Sequence, residues 1–172
     1  ANNTYTGGTS ILDGALQLGN GGTTGAITGN VSTGAGGTLA INRSNTLTFG
    51  GTISGAGAVK QDGVGTTVLT ADNTYTGGTT ISDGMLQLGN GGTTGSIVGD
   101  VTNNGALSFN RNFSLVFDGK ITGSGSVIQN GRGGTTLAAD NTYTGGTTIN
   151  VGELVLGAVS YTHLTLPTIL LV

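Results

Sequence analysis

The side chains able to perform acid–base chemistry are few in this sequence and lie far apart. The 172 residues hold eight carboxylates. They are Asp13, Asp62, Asp72, Asp83, Asp100, Asp118, Asp140 and Glu153. Asp13 and Asp83 precede a glycine, and Asp72 and Asp140 precede an asparagine. These pairs occupy equivalent places in the repeat described below, and Asp beside Gly or Asn favours tight turns. We therefore interpret the acids as turn formers and predict no catalytic residue.

Other constellations that carry chemistry are incomplete. His163 is the single histidine, so a Ser-His-Asp triad would depend on one residue near the end of the chain. Gly119-Lys120 lacks the rest of a phosphate-binding loop. Gly-Asn-Gly-Gly at 19–22 and 89–92 lacks the aspartate of calcium-binding glycine-rich repeats. Cysteine is absent, which excludes thiolate metal sites. The sequence predicts no catalytic, cofactor-binding or metal site.

The charges are sparse and argue against two classes of partner. The net charge is −3, and the five basic residues Arg43, Lys60, Arg111, Lys120 and Arg132 lie singly. Nucleic-acid binding requires a basic patch, so we expect no nucleic-acid partner. The apolar run 169–172 is too short to span a bilayer, so we expect no membrane insertion. Arg43 and Arg111 recur with the repeat, which predicts a shared surface role for them.

A seven-residue sequence, Asn-Thr-Tyr-Thr-Gly-Gly-Thr, occurs three times and is the strongest signal in the chain. It begins at Asn3, Asn73 and Asn141, so consecutive copies are 70 and 68 residues apart. The difference of two residues falls between the glycine-rich stretch 32–38 and its counterpart 102–106, where a loop accepts a change of length at little cost. The apolar residues behind each copy also match: Ile11, Leu16 and Leu18; Ile81, Leu86 and Leu88; Ile149, Leu154 and Leu156.

Within each unit, apolar and polar residues alternate. Leu86-Gln87-Leu88 and Leu107-Ser108-Phe109 place every second side chain on one face, which is the period of a β-strand. Glycine-rich turns separate such strands, and no stretch has a helical period. Short strands with a long repeat fit a sandwich, a propeller or a parallel β-helix. We favour the β-helix because each of its strands pairs with the rungs above and below, so short strands and dense turns are tolerated.

A unit of this length divides into about three coils of roughly 23 residues, which is a normal size for a solenoid coil. We therefore predict that residues 3–157 form about six or seven rungs. The residues predicted to point inward are Ile81, Leu86, Leu88, Leu107, Phe109, Leu115, Phe117 and Ile121.

The segment from Gly63 to Gly89 resembles the passenger-associated transport repeat, also called the autotransporter-associated β-strand repeat. A second match spans 131–157 and a truncated one spans 3–19. The shared pattern is a glycine-rich turn, a short Thr/Leu strand, Asn-Thr-Tyr-Thr-Gly-Gly-Thr-Thr-Ile, and Gly-x-Leu-x-Leu-Gly.

The resemblance implies an all-β fold, a right-handed parallel β-helix (β-solenoid), in the passenger of a type V secreted autotransporter. The implied function is that of a structural and adhesive stalk that serves surface display and assisted export. The implied location is the cell surface, or the medium, outside a Gram-negative outer membrane. The implied partner is the outer-membrane β-barrel translocator of the full-length protein, and a host surface or glycan is a further candidate.

The alternative function is the non-catalytic portion of a carbohydrate-active β-helix enzyme. Such an enzyme needs a unique cluster of Asp with Arg or Lys on one face. Here the acids recur with the repeat, so we predict no enzyme. Tyr5, Tyr75 and Tyr143 also recur at one position, and two interpretations remain: a surface aromatic stripe that contacts glycan, or residues stacked within the wall.

Residues 158–172 depart from the repeat. Ala158-Val159-Ser160 does not continue as Asn90-Gly91-Gly92 does, and this tail holds the single His and the single Pro. We interpret it as read-through sequence appended to a gene fragment, with an edge strand ending at Pro167 as the alternative. The predicted organisation is a β-helix fragment over 1–157 and a non-repeat tail over 158–172.

Overall fold

The computed structural model describes residues 1–157, and the tail predicted at 158–172 lies outside the described residues. Every regular element in 1–157 is a β-strand, and all pairings between strands are parallel. No helix among the described residues is long and apolar enough to cross a membrane. The strands are β1 (Thr9–Leu18), β2 (Val31–Ile41), β3 (Leu47–Phe49), β4 (Ile53–Gly55), β5 (Ala58–Gln61), β6 (Thr66–Leu69), β7 (Thr79–Ile81), β8 (Met85–Leu88), β9 (Val101–Asn103), β10 (Ala106–Phe109), β11 (Leu115–Phe117), β12 (Ile121–Thr122), β13 (Ser126–Gln129), β14 (Gly134–Leu137), β15 (Thr147–Ile149) and β16 (Glu153–Leu156).

The strands stack into three faces around one core, and the stack has about 7 turns. We call them faces A, B and C, in the order in which the chain visits them. Face A holds the first halves of β1 and β2, then β4, and later β11, β14 and β16. Face B holds the second halves of β1 and β2, then β5, β7, β9 and β12. Face C holds β3, β6, β8, β10, β13 and β15. The prediction of an all-β parallel solenoid is confirmed.

Two strands run round a corner without a break. β1 and β2 continue from face A to face B, and their register shifts between Ile11 and Asp13. The two additional residues of the first unit lie in β2 at this corner, within the glycine-rich stretch that the sequence comparison identified. A change of length at the corner leaves the flanking strands in register, because the corner carries no core side chain.

One repeat occupies three rungs and one further face, whereas three rungs were expected. On face A, Thr9 pairs with Val31 and Val31 pairs with Ile53. The amide of Thr74 then donates to the carbonyl of Ile53 at 2.9 Å, which completes the third step on face A. The chain passes one more corner before Thr79, the counterpart of Thr9, begins β7 on face B. The rungs are shorter than roughly 23 residues, so three of them do not use up a repeat.

The second repeat advances in the same way. Thr79 pairs with Val101, Val101 pairs with Ile121, and the amide of Thr142 donates to the carbonyl of Ile121 at 2.9 Å. After one more corner, Thr147 begins β15 on face C. Equivalent strands of consecutive repeats therefore lie on consecutive faces.

The core is a column of aliphatic and aromatic side chains shared by all three faces. Of the residues predicted to point inward, seven are buried and Leu115 is half-buried against them, so the prediction is confirmed. Phe109 and Phe117 pack with ring centroids 5.9 Å apart and planes tilted by 59°. Each buried side chain of this size contributes about 1.5–3 kcal/mol. A single rung has too few of them to fold alone, so stability depends on stacking.

Glycines form a column along one corner of the stack. A Cβ on Gly105 would lie 2.5 Å from the carbonyl oxygen of Gly84, and a Cβ on Gly145 would lie 2.5 Å from that of Gly125. A Cβ on Gly125 would lie closer still to the carbonyl oxygen of Gly105. Side chains other than hydrogen do not fit where backbones of consecutive rungs approach this closely. The high glycine content therefore has a steric cause at the corners.

Candidate functional site

The first pair of repeat-equivalent acids caps its own turns. The amide of Gly14 donates to Oδ1 of Asp13 at 2.8 Å, and the amide of Gly84 donates to Oδ1 of Asp83 at 2.7 Å. Both glycines have a positive φ, 73° and 61°, which L side chains adopt at a cost. These acids form turns, as predicted.

Three further acids join one rung to the next. The amide of Lys120 donates to Asp100 at 2.9 Å, and Oγ of Ser82 donates to Asp62 at 2.7 Å. Asp72 accepts hydrogen bonds from the amide of Gly95 at 3.0 Å and from Oγ of Ser96 at 2.8 Å. The bonds of Asp62, Asp72 and Asp100 are contacts between consecutive rungs and bring no two carboxylates together.

The titratable groups do not converge. Within residues 1–157, no group of three His, Cys, Asp or Glu side chains is placed to hold a metal ion. The acids of the described residues therefore support turns and neighbouring rungs one by one.

Tyr75 is a core residue. It is fully buried, and its hydroxyl pairs with Oγ1 of Thr79 at 2.7 Å. Burial raises the pKa of the Tyr75 phenol well above its usual value, and the bond to Thr79 opposes this shift in part. Tyr5 and Tyr143 make the same bond to the threonine four residues on. Tyr75 and Tyr143 lie on different faces, so the recurring tyrosines form no continuous stripe and do not stack on one another. Tyr75 is buried and Tyr143 packs against the core, so these two are part of the wall, as the second interpretation held.

Arg43 is buried, and it fixes the loop at residues 19–25 from the neighbouring rung. Its Nη1 donates to the carbonyl of Gly25 at 2.8 Å and its Nη2 donates to the carbonyl of Thr23 at 2.5 Å. Its Nε donates to Oδ1 of Asn45 at 3.1 Å. The surface role predicted for the recurring arginines was therefore wrong, because the guanidinium of Arg43 is buried and donates to carbonyl oxygens of a turn.

Arg111 fixes the equivalent loop at residues 89–95 with a different set of partners. Its Nη1 donates to the carbonyl of Gly95 at 3.1 Å and to Asp72 at 3.2 Å. Its Nε is buried and has no partner, because Phe113 stands where the first repeat has Asn45. The sequence does carry a signal for this contact that was not used in the prediction. Each arginine follows its loop by about one rung, so the two lie beside each other in the stack.

The two loops held by these arginines are identical in sequence and exposed. Both read Gly-Asn-Gly-Gly-Thr-Thr-Gly, at 19–25 and 89–95. The amide of Gly21 donates to the carbonyl of Asn42 at 2.9 Å, and the amide of Gly91 donates to that of Asn110 at 2.8 Å. Residues 20–24 and 90–94 are exposed. These repeated, well-supported loops are the most distinctive surface feature of the described residues.

A family model for the passenger-associated transport repeat matches residues 1–18, 59–88 and 127–156. Each matched segment contains one copy of the Asn-Thr-Tyr-Thr motif. These three segments are similar to the repeat of autotransporter passengers, so the resemblance noted in the sequence is confirmed.

A relative with a known name supports this assignment. The chain is 57% identical over 56 residues to a protein named adhesin BmaC autotransporter, from Brucella suis biovar 1 (strain 1330). The aligned stretch covers 33% of this chain and 2% of that relative. The chain thus spans a very small part of the adhesin's length. No solved structure matches the chain.

Proposed function

We propose that this stretch of passenger is an adhesive stalk exposed outside the outer membrane, where it extends and displays a surface. The observation that carries the proposal is an unbroken stack of parallel rungs in which the acids and buried arginines support turns. The named relative is an adhesin, which favours a non-enzymatic role. Stability in a solenoid is spread over neighbouring rungs, so such a stalk can be long without a specialised centre.

Assisted export is the second part of the proposal. In the full-length protein, the partner would be an outer-membrane translocator. Each rung needs only the preceding rung as a template, so rungs can fold one after another as the chain emerges. Folding outside the membrane would then draw the chain outward. The partner bound by the exposed stalk would be a host surface or a glycan.

The adhesive role is tested with the purified chain immobilised on beads. We expect saturable binding to host cells or to members of a glycan panel. A Gly105→Val variant serves as the control, because its side chain would collide with the backbone of Gly84 and unfold the stack. Binding that survives in this variant would be non-specific, and absence of binding by the folded chain would contradict adhesion by this stretch.

The same preparation tests the enzymatic alternative. We expect no depolymerisation of acidic or neutral polysaccharides. Reproducible cleavage that is abolished by replacing one of Asp62, Asp100 or Asp118 would overturn the stalk proposal in favour of a carbohydrate-active β-helix.

A further inference from the structure

The two identical loops do not lie above one another. The loop at 19–25 follows β1 at the end of face B. The loop at 89–95 follows β8 at the end of face C. This displacement has the same origin as the shift of the motif strands, since one repeat covers three rungs and one face.

We propose that the passenger presents each repeated surface in successive directions around its axis, about a third of a turn per repeat. Rungs of a parallel sheet are about 4.8 Å apart, so one repeat advances the surface by about 16 Å along the axis. Three repeats return the surface to the same corner, about 48 Å further along. The repeated surfaces therefore follow a screw axis and do not form a straight row.

The chemistry of the loops limits what can recognise them. Residues 20–24 and 90–94 expose a carboxamide, threonine hydroxyls and peptide groups, and they carry no charge. A partner would therefore be neutral and rich in hydrogen-bonding groups. Two such partners on consecutive repeats approach from different sides and do not collide, whereas one rigid bivalent partner cannot bridge consecutive loops from one side. The arrangement of the loops around the axis does not depend on adhesion, so this proposal is independent of the proposed function.

The stoichiometry of a Fab selected against the folded loop tests this display. We expect two Fabs to bind one chain of 172 residues simultaneously, measured as mass by light scattering. Loops stacked at one corner would be separated by only about 16 Å, and the first Fab would then exclude the second. A complex with one Fab would overturn the proposal.

Two single variants make the result decisive. Asn20→Lys leaves the second loop intact and Asn90→Lys leaves the first intact, so each should bind one Fab, and the double variant should bind none. These exposed side chains are not held by the arginines, so the fold should be retained in circular dichroism spectra. A single variant that is folded but binds no Fab would show that the loops are not equivalent surfaces, which also contradicts the proposal.

A distance measurement gives an independent readout. The chain has no cysteine, so Asn20→Cys with Asn90→Cys accepts two spin labels and no others. Labels on different corners should be separated by clearly more than the axial advance of about 16 Å. A distance distribution centred near that value would place both loops at one corner and refute the screw.

Discussion

Two buried arginines hold the same loop in successive repeats through different partners. Arg43 has an amide acceptor in Asn45, while Arg111 has Phe113 at that position and uses the carboxylate of Asp72 instead. Asp72 stands where the first repeat has Asn2. The charge pair supplies one bond to Nη1 but none to Nε. A buried donor without a partner costs about 1–3 kcal/mol, so the second loop is held less well than the first.

Supplying the missing acceptor should stabilise the protein. In Phe113→Asn the carboxamide can accept from Nε of Arg111 as Asn45 does from Arg43, and Phe113 loses little because it is 66% exposed. We expect the free energy of unfolding to rise by roughly 1 kcal/mol in denaturant titrations. Phe113→Ala is the control and should show no such gain. The reverse change, Asn45→Phe, should cost about 1–3 kcal/mol; equal stability of Phe113→Asn and Phe113→Ala would contradict this account.

Tyr75 should make stability fall at alkaline pH. Its phenol has a higher pKa when folded than when unfolded, where the value is about 10, so the folded state retains a proton that the unfolded state releases. The stabilisation is fully present below about pH 10 and is lost progressively as the pH rises above it. Tyr75→Phe should flatten this alkaline decline in thermal melts at a series of pH values. The matched variant Tyr5→Phe, at a site 45% exposed, should leave the decline unchanged; a persisting decline in Tyr75→Phe would assign it to another group.

At the scale of the strand and its corners, close approach of backbones decides which sequences fit. Each corner brings one rung within van der Waals distance of the next, and the strands on either side supply the core. Consequently, corner glycines and inward residues are constrained while outward strand residues vary. Gly7 and Gly77 are repeat-equivalent, but only Gly77 has a preceding rung against it.

Gly77 and Gly7 test this argument as a matched pair. A Cβ on Gly77 would lie 2.6 Å from the carbonyl oxygen of Gly57, whereas a Cβ on Gly7 meets nothing within 4 Å. Neither residue has a positive φ. We expect Gly77→Ala to cost about 1–3 kcal/mol and Gly7→Ala to be neutral or slightly stabilising. Thermal midpoints should differ by several degrees; similar midpoints would mean that the corner relaxes freely.

Much of the strand and corner structure could be predicted from the sequence, because the alternation of apolar and polar residues and its recurrence in each repeat indicate which side chains are buried. Leu86, Leu88 and Phe109 were identified as inward from their spacing alone, and the glycine-rich turns fell at corners. The number of residues per rung could not be predicted, since it depends on how tightly each corner closes in three dimensions. For the same reason the burial of Arg43 and the separation of Tyr75 from its counterparts were missed, because both depend on which segments become neighbours in the next rung.

For the whole molecule, neighbouring rungs supply nearly all contacts, so each part depends on its register with the rungs beside it. The division into a β-helix fragment at 1–157 and a separate tail stays a prediction. Ending the chain after Gly157 should leave the thermal midpoint within about a degree or two, because the tail has no repeat counterpart. A drop of more than about 5 °C would show that residues 158–172 stabilise the last rung.

Register also predicts which internal deletions are tolerated. Removing residues 73–140 joins Asp72 to Asn141, which copies the native junction of Asp140 with Asn141. The segment from Asn141 then takes the place of the one from Asn73, so β15 lies against β5 as β7 did, and β16 lies against β6 as β8 did.

This deletion of one repeat should give a folded, shorter stack with a lower but cooperative thermal transition, because the new contacts are equivalent to those they replace. Removing the smaller segment 73–135 joins Asp72 to Thr136, which puts the buried Leu137 at the exposed place of Thr74 and turns the core side of that strand outward. Although that variant retains more residues, we expect it to melt at a lower temperature and with weaker cooperativity in circular dichroism. If it were the more stable of the two, length and not register would govern the stability of this solenoid, and the close backbone contacts at the corners would not constrain its sequence.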